Sequence, residues 1–131
     1  MTNVPPELQY TEAHEWMRRL ADGVVEIGIT DHAQAALGDL VYVELPEAGR
    51  TVKAGDACAV VESVKSASDV YSPVTGEVVE ANAALESSPE TINRDPYLGG
   101  WMIRVRVAPG GAASRALSAA EYQRFLDAEK R

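Results

Sequence analysis

Cysteine is almost missing from this chain. Cys58 is the only one in 131 residues, which excludes an internal disulfide framework and any cysteine-cluster metal site. Histidine is nearly as scarce: His14 and His32 are the two, and neither falls into a ligand spacing such as H-x3-H. Lysine supplies only three of the twelve basic residues, Lys53, Lys65 and Lys130, so chemistry that needs a lysine amine has three candidates. No run approaches the roughly 20 apolar residues of a membrane span. The first ten residues, MTNVPPELQY, have no basic start and no apolar h-region, so the chain reads as a mature, cytoplasmic protein. Acid is plentiful. Twenty Asp and Glu against twelve Lys and Arg give a formal net charge of −8, which argues against binding to nucleic acid or to an anionic membrane surface. The length fits about one domain, able to bury roughly two-thirds of its unfolded surface.

The hydrophobic pattern is that of short strands. Trp16–Leu20 and Val24–Thr30 flank the turn triplet Ala21-Asp22-Gly23, and Val25, Ile27 and Ile29 alternate with Glu26, Gly28 and Thr30 as in a half-buried strand. Further strands are expected at 40–45, 57–64, 68–72, 77–81 and 101–107. A short helix is expected from a Thr30-Asp31 cap to Leu37, with Gln34 as a weak capping-box partner of Asp31 and Gly38 as the stop. Ser88-Pro89-Glu90 reads as an N-cap with Pro at the first helical position, and Asp95-Pro96 keeps that helix short. Residues 1–9 read as an irregular lead-in. Pro109-Gly110-Gly111 opens a linker to a terminal helix, 118–130, with the capping box Ser118…Glu121 and Tyr122, Phe125 and Leu126 on one face. The expectation is a single unit over 1–131 that is mostly β, with short helices and a C-terminal helix packed outside.

A self-contained active site finds little support. No Ser stands in a G-x-S-x-G elbow and no Gly-rich phosphate loop precedes a helix. Cys58, within ACAVV, reads as a buried small hydrophobe, and the two histidines as hydrogen-bonding side chains. Lys53 lies in a turn and Lys130 is penultimate; both read as solvated charges. Lys65 differs in its setting. It stands between two strand-like runs, ACAVVESV and SDVYS, at a hairpin tip flanked by small residues that give little steric shielding.

The segment from Glu62 to Gly76, ESVKSASDVYSPVTG, closely resembles the lipoyl-attachment hairpin of the glycine cleavage system H-protein family. Tyr10-Thr11-Glu12-Ala13-His14-Glu15-Trp16 is similar to that family's N-terminal signature. Gly28-Ile29-Thr30-Asp31-His32-Ala33-Gln34, with Leu37-Gly38-Asp39, is similar to its next motif, and Asn93-Arg94-Asp95-Pro96-Tyr97 with Gly100-Trp101 to its last. The motifs stand in family order over about residues 8–107. One position departs: Leu98 follows Pro96-Tyr97 where the family usually has Gly. Lipoyl domains of 2-oxo acid dehydrogenases usually carry Asp-Lys-Ala at the tip and biotin carriers Met-Lys-Met, whereas this chain has Val64-Lys65-Ser66.

The resemblance implies a small lipoyl/biotinyl-type sandwich, a barrel-sandwich hybrid, with its lipoyl-binding core at 24–106. It implies lipoic acid in amide linkage to Lys65. It also points to Glu62, Gly49 and Gly76 in recognition by the lipoate-attaching enzyme, with the two glycines expected to set the hairpin base. Glu12, His14 and Asp69 are candidates for sheltering the loaded arm. The implied role is a shuttle with no catalytic group of its own. It would serve a pyridoxal-phosphate-dependent glycine decarboxylase, a tetrahydrofolate-dependent aminomethyltransferase and dihydrolipoyl dehydrogenase. The alternative is an H-like carrier acting mainly as a lipoyl donor or with another partner.

Overall fold

The computed structural model describes residues 2–112 and 116–129; Lys130, one of the three lysines, lies outside them. Among the described residues nine strands form two antiparallel sheets. The larger contains β1 (Gln9–Tyr10), β2 (Glu15–Arg19), β3 (Val24–Ile29), β9 (Ile103–Val107), β8 (Gly76–Ala81) and β5 (Thr51–Val52), neighbours in that order. The smaller contains β4 (Leu40–Glu44), β6 (Ala57–Ser63) and β7 (Ala67–Tyr71). The helices are α1 (Asp31–Leu37), α2 (Ala84–Ser87), α3 (Glu90–Arg94) and α4 (Ala119–Glu129). Among the described residues no helix is long and apolar enough to cross a membrane.

The two sheets share their apolar faces. Met17, Ile27, Val52, Val78, Ile103 and Val105 of the larger sheet pack with Cys58 of β6. Ile29 of β3 packs in turn with Leu40, Val43, Ala59, Val61 and Val70 of the smaller sheet, beneath Leu85 of α2 and Ile92 of α3. Each of the Val, Leu, Ile and Met side chains among them, fully buried, contributes roughly 1.5–3 kcal/mol. A third cluster seats α4: Tyr122 and Leu126 pack with Leu8, Tyr10, Trp16 and Tyr97. Tyr10 and Tyr122 stack with centroids 4.7 Å apart.

The outer face of the larger sheet carries one row of charges across four strands. Arg18 of β2 stands opposite Glu26 of β3, which stands opposite Arg104 of β9, which stands opposite Glu80 of β8. Arg18 donates to Glu26 at 2.7 Å, and Arg104 donates to Glu26 at 2.9 Å and to Glu80 at 2.6 Å. Glu26 is buried, so its two guanidinium partners are what make its charge tolerable there.

Local signals decide several element ends. The Thr30 hydroxyl accepts from the Ala33 N–H to start α1, while Gln34 bonds the Asp31 side chain instead of closing a capping box. At α4 the Ser118–Glu121 capping box forms in both directions, 2.8 and 3.1 Å. The Ser88 side chain makes no cap bond to α3, although its carbonyl accepts from the Thr91 N–H and Pro89 after it is helical. Ser88 also ends α2, a single turn that the sequence reading lacks. The two-residue strands β1 and β5 were also not expected. Residues 2–8 of the lead-in are irregular as expected, while Gln9 enters β1, and the segment is pinned: the Asn3 N–H donates to Asp31, and the Tyr97 hydroxyl donates to the Asn3 carbonyl. Leu98 is 65% exposed and has no positive φ, so the absence of Gly there carries no backbone strain.

Candidate functional site

β6 and β7 form the hairpin that presents Lys65. Their register runs from Ala57 opposite Tyr71 to Glu62 opposite Ala67, with a shift between Ala57 and Ala59. Beyond the last pair a single serine closes the turn. The Ser63 N–H donates to the Ser66 carbonyl at 2.7 Å, and the Ser63 Oγ accepts from the Ser66 N–H at 3.1 Å and the Lys65 N–H at 3.3 Å. Two-residue hairpin turns usually need positive φ. Here neither Val64 nor Lys65 has one, because the buried Ser63 hydroxyl takes the place of a backbone acceptor. Val64 is 79% exposed and Lys65 is exposed beside it. Among the described residues Lys65 makes no ion pair. Its Cε lies 3.6 Å from where a Cβ at Gly38 would stand, and Gly38, with φ +86°, ends α1.

The far end of the hairpin is tied twice. The Gly55 N–H donates to the Ser72 carbonyl at 2.7 Å, and the Ser72 N–H to the Asp56 carbonyl at 2.9 Å. Glu15 of β2 then reaches across: its buried carboxylate accepts from the Tyr71 N–H at 3.1 Å and the Thr11 hydroxyl at 2.8 Å. Burial raises the Glu15 pKa above the usual carboxylate range. Cys58 is buried on β6, its Sγ 3.3 Å from the Val70 carbonyl that accepts from it. Burial, with the Glu15 charge nearby, pushes its thiol up to about 11.

Glu62 sits half-buried on β6 between Tyr42 of β4 and Ala67 of β7. Gly49 and Gly76 lie away from the hairpin, contrary to the expectation that they set its base. Gly49, with φ +96°, donates to the Val78 carbonyl of β8, and Gly76 is on β8 itself, between Val52 and Val107. Gly76 belongs to the larger sheet and Gly49 to a turn bonded to it, and the base position falls to Gly55. Glu12 is exposed in the β1–β2 turn and Asp69 is exposed on β7 opposite Val60. His14 is half-buried against α4, its Nδ1 2.8 Å from the Tyr122 hydroxyl. Burial and then the neighbouring His32 lower its pKa, with Glu129 opposing. Among the described residues no hydrogen bond joins Glu12, His14 or Asp69 to Lys65. Lys53 is an exposed turn residue whose N–H donates to Asp56.

An exposed, unpaired lysine on a clamped turn between two anchored strands can accept an acyl group and carry it clear of the fold. The family model described as Glycine cleavage H-protein matches residues 8–129. The chain belongs to that family. It is 53% identical over 129 residues to the glycine cleavage system H protein of Escherichia coli O7:K1, covering 98% of this chain and 100% of that one. The H protein of Salmonella paratyphi B is 52% identical over the same coverage. The crystal structure of an H protein from Mycobacterium marinum superposes with a TM-score of 0.87 at 43% identity, covering 95% of this chain and 99% of that one. As a member of the H-protein family the chain is a carrier subunit of the glycine cleavage system. Three residues that shape the Lys65 hairpin, Ser63, Gly55 and Glu15, were not singled out from sequence. Glu15 left a signal: at period two it shares a face with the core residue Met17.

Proposed function

We propose that Lys65 carries a lipoyl group in amide linkage and that this protein acts as a non-catalytic, cytoplasmic shuttle. The observation that carries the reading is the exposed Lys65 on a turn closed by the Ser63 hydroxyl. When bound there, lipoate supplies the reactive disulfide, and the protein contributes position and access. A pyridoxal-phosphate-dependent glycine decarboxylase loads the arm, and a tetrahydrofolate-dependent aminomethyltransferase unloads it. Dihydrolipoyl dehydrogenase reoxidises it, and a lipoate-attaching enzyme installs it. Tethering lets one arm meet these sites at high effective concentration without leaving its carrier.

The chain's own residues divide the work. Ser63 and the anchored strands hold the tip, within a lipoyl-binding core of residues 24–106. Glu62, Gly49 and Gly76 serve recognition by the attaching enzyme, Glu62 from the hairpin and the glycines through the sheet that supports it. Glu12, His14 and Asp69 are the candidates for sheltering a loaded arm. Lys65 lies over Gly38 beyond one end of α1, and His14 packs at a tilt against His32 near the other, with ring centroids 4.6 Å apart. Seven helical residues span about 10 Å, a distance an extended lysine-linked arm can cover.

Co-expression with a lipoate-attaching enzyme, followed by intact mass and peptide mapping, tests the reading. One lipoyl group on Lys65 is expected. Modification at Lys53 or Lys130, or none, would sink it. Lys65→Arg should keep the fold and lose glycine–bicarbonate exchange with the decarboxylase. Testing the loaded protein as a substrate of that decarboxylase separates the shuttle from a carrier that only donates lipoyl groups.

A further inference from the structure

The three ligating side chains gathered at the end of α4 play no part in the hairpin. His14 Nε2 lies 3.6 Å from Glu129 Oε1, and His32 Nε2 lies 4.0 Å from the same oxygen. All three ligand atoms fall within 4.8 Å of one another. We propose that His14, His32 and Glu129 bind a zinc-type divalent cation that ties the end of α4 to the β1–β2 turn and the first turn of α1.

Tetrahedral zinc with bonds of about 2.0–2.1 Å places its ligand atoms roughly 3.3 Å apart. The two gaps to Glu129 exceed that by under 1 Å and the two histidine atoms lie within 4.8 Å of each other; the Glu129 and His32 side chains, 43% and 31% exposed, have room to close the difference by rotation. Two imidazoles and one carboxylate are a ligand set suited to zinc, with water in the fourth position.

The surroundings of His14 support the assignment independently. A ligating histidine usually donates its other ring N–H to a fixed acceptor, which sets the tautomer. His14 Nδ1 is 2.8 Å from the Tyr122 hydroxyl, which is 2.8 Å from the Thr30 hydroxyl. With Nδ1–H donating to Tyr122, and Tyr122 donating to Thr30, the His14 Nε2 lone pair faces His32 and Glu129. The backbone of His14 is held in the left-handed region, φ 68°, by the bonds from its N–H to the Thr11 carbonyl and from the Thr30 N–H to its carbonyl. A non-glycine residue kept there is strained, and such strain gathers at binding sites.

The test uses the full-length, tag-free chain and Zn2+ alone as the probe. Zinc titration followed by imidazole 15N NMR should shift both histidines together at one ion per chain. His32→Ala and Glu129→Gln should each weaken binding by about 10-fold or more, the scale on which even outer partners of metal ligands act. Both substitutions fall on partly exposed side chains, so the fold survives them. Amides of α4 should gain hydrogen-exchange protection with Zn2+ in the parent and not in Glu129→Gln. Imidazole signals that ignore excess Zn2+, or affinity unchanged in both variants, would overturn the site. Unchanged α4 protection would overturn the tie. Lipoylation at Lys65 enters none of these readouts.

Discussion

At the scale of single residues, the Lys65 turn depends on the hydroxyl of Ser63. It accepts from two turn N–H groups that have no other partner in the two-residue connection. Ser63→Ala removes that acceptor at a cost of about 0.5–1.5 kcal/mol. Lys65 stays in place but loses a defined presentation, so attachment by the lipoate-attaching enzyme should slow several-fold while the melting temperature falls only modestly. Equal attachment rates for the two proteins would show that the turn geometry is not read. Cys58 makes the opposite case, a residue kept out of chemistry. A thiol pushed up to about 11 is thiolate in about one molecule per thousand at pH 8. A reactive thiol close to a carrier disulfide could exchange with it, and burial forestalls this. Iodoacetamide at pH 8 should leave Cys58 unlabelled in the folded protein and label it fully in denaturant. Rapid labelling of the folded form would show the thiol to be accessible.

At the scale of elements, β8 separates structural glycines from recognised ones. A Cβ at Gly76 would meet the Arg106 carbonyl of β9 at 2.1 Å, and that backbone cannot give way, so Gly76→Ala should cost ~1–3 kcal/mol or more. A Cβ at Gly49 meets nothing within 4 Å, but φ is +96°, so Gly49→Ala should cost about 1–2 kcal/mol. Thermal melts beside lipoylation rates decide between the roles. Attachment that falls only as far as stability falls marks a structural glycine, and attachment lost in a stable Gly49→Ala marks recognition. The same elements show what could be read in advance. β3 and β9 announce themselves by alternating β-branched residues, and α4 by its capping box, because these signals are local. β1 and β5 are two-residue pairings made only by the tertiary fold. Gly49 and Gly76 stand sixteen and eleven residues from Lys65, and that nearness in sequence suggested a shared hairpin. The sheet order instead sends β5 and β8 to the other layer. The meeting of His14 with His32 was hidden for the same reason: it depends on β2 pairing with β3 and on α4 closing over both.

At the scale of the whole molecule, charge is distributed unevenly between the two sheets. Arg18 and Arg104 are committed to Glu26 and Glu80 on the larger sheet. Beside the hairpin the acids prevail: the exposed Tyr42 hydroxyl donates to Glu44, and the charge of Glu44 foremost, with Glu62 and Glu86 adding to it, raises its pKa. The proposed acylation of Lys65 would remove a positive charge from this face and take the formal net charge from −8 to −9. Partners that dock on the hairpin face therefore gain from basic surfaces, and the gain lies in encounter rate more than in the chemistry that follows. Salt shortens the reach of such charges, from a Debye length of about 10 Å at 0.1 M to about 3 Å at 1 M. With the glycine decarboxylase, kcat/KM for the lipoylated protein should fall steadily as sodium chloride rises across that range, while kcat changes little. Glu44→Gln with Glu86→Gln removes two of these charges without touching Lys65 or Glu62, and should flatten the slope of log(kcat/KM) against ionic strength. A kcat/KM indifferent to salt would show that the acidic face is not what the decarboxylase reads. An unchanged slope in the double variant would place the steering charges elsewhere on the surface.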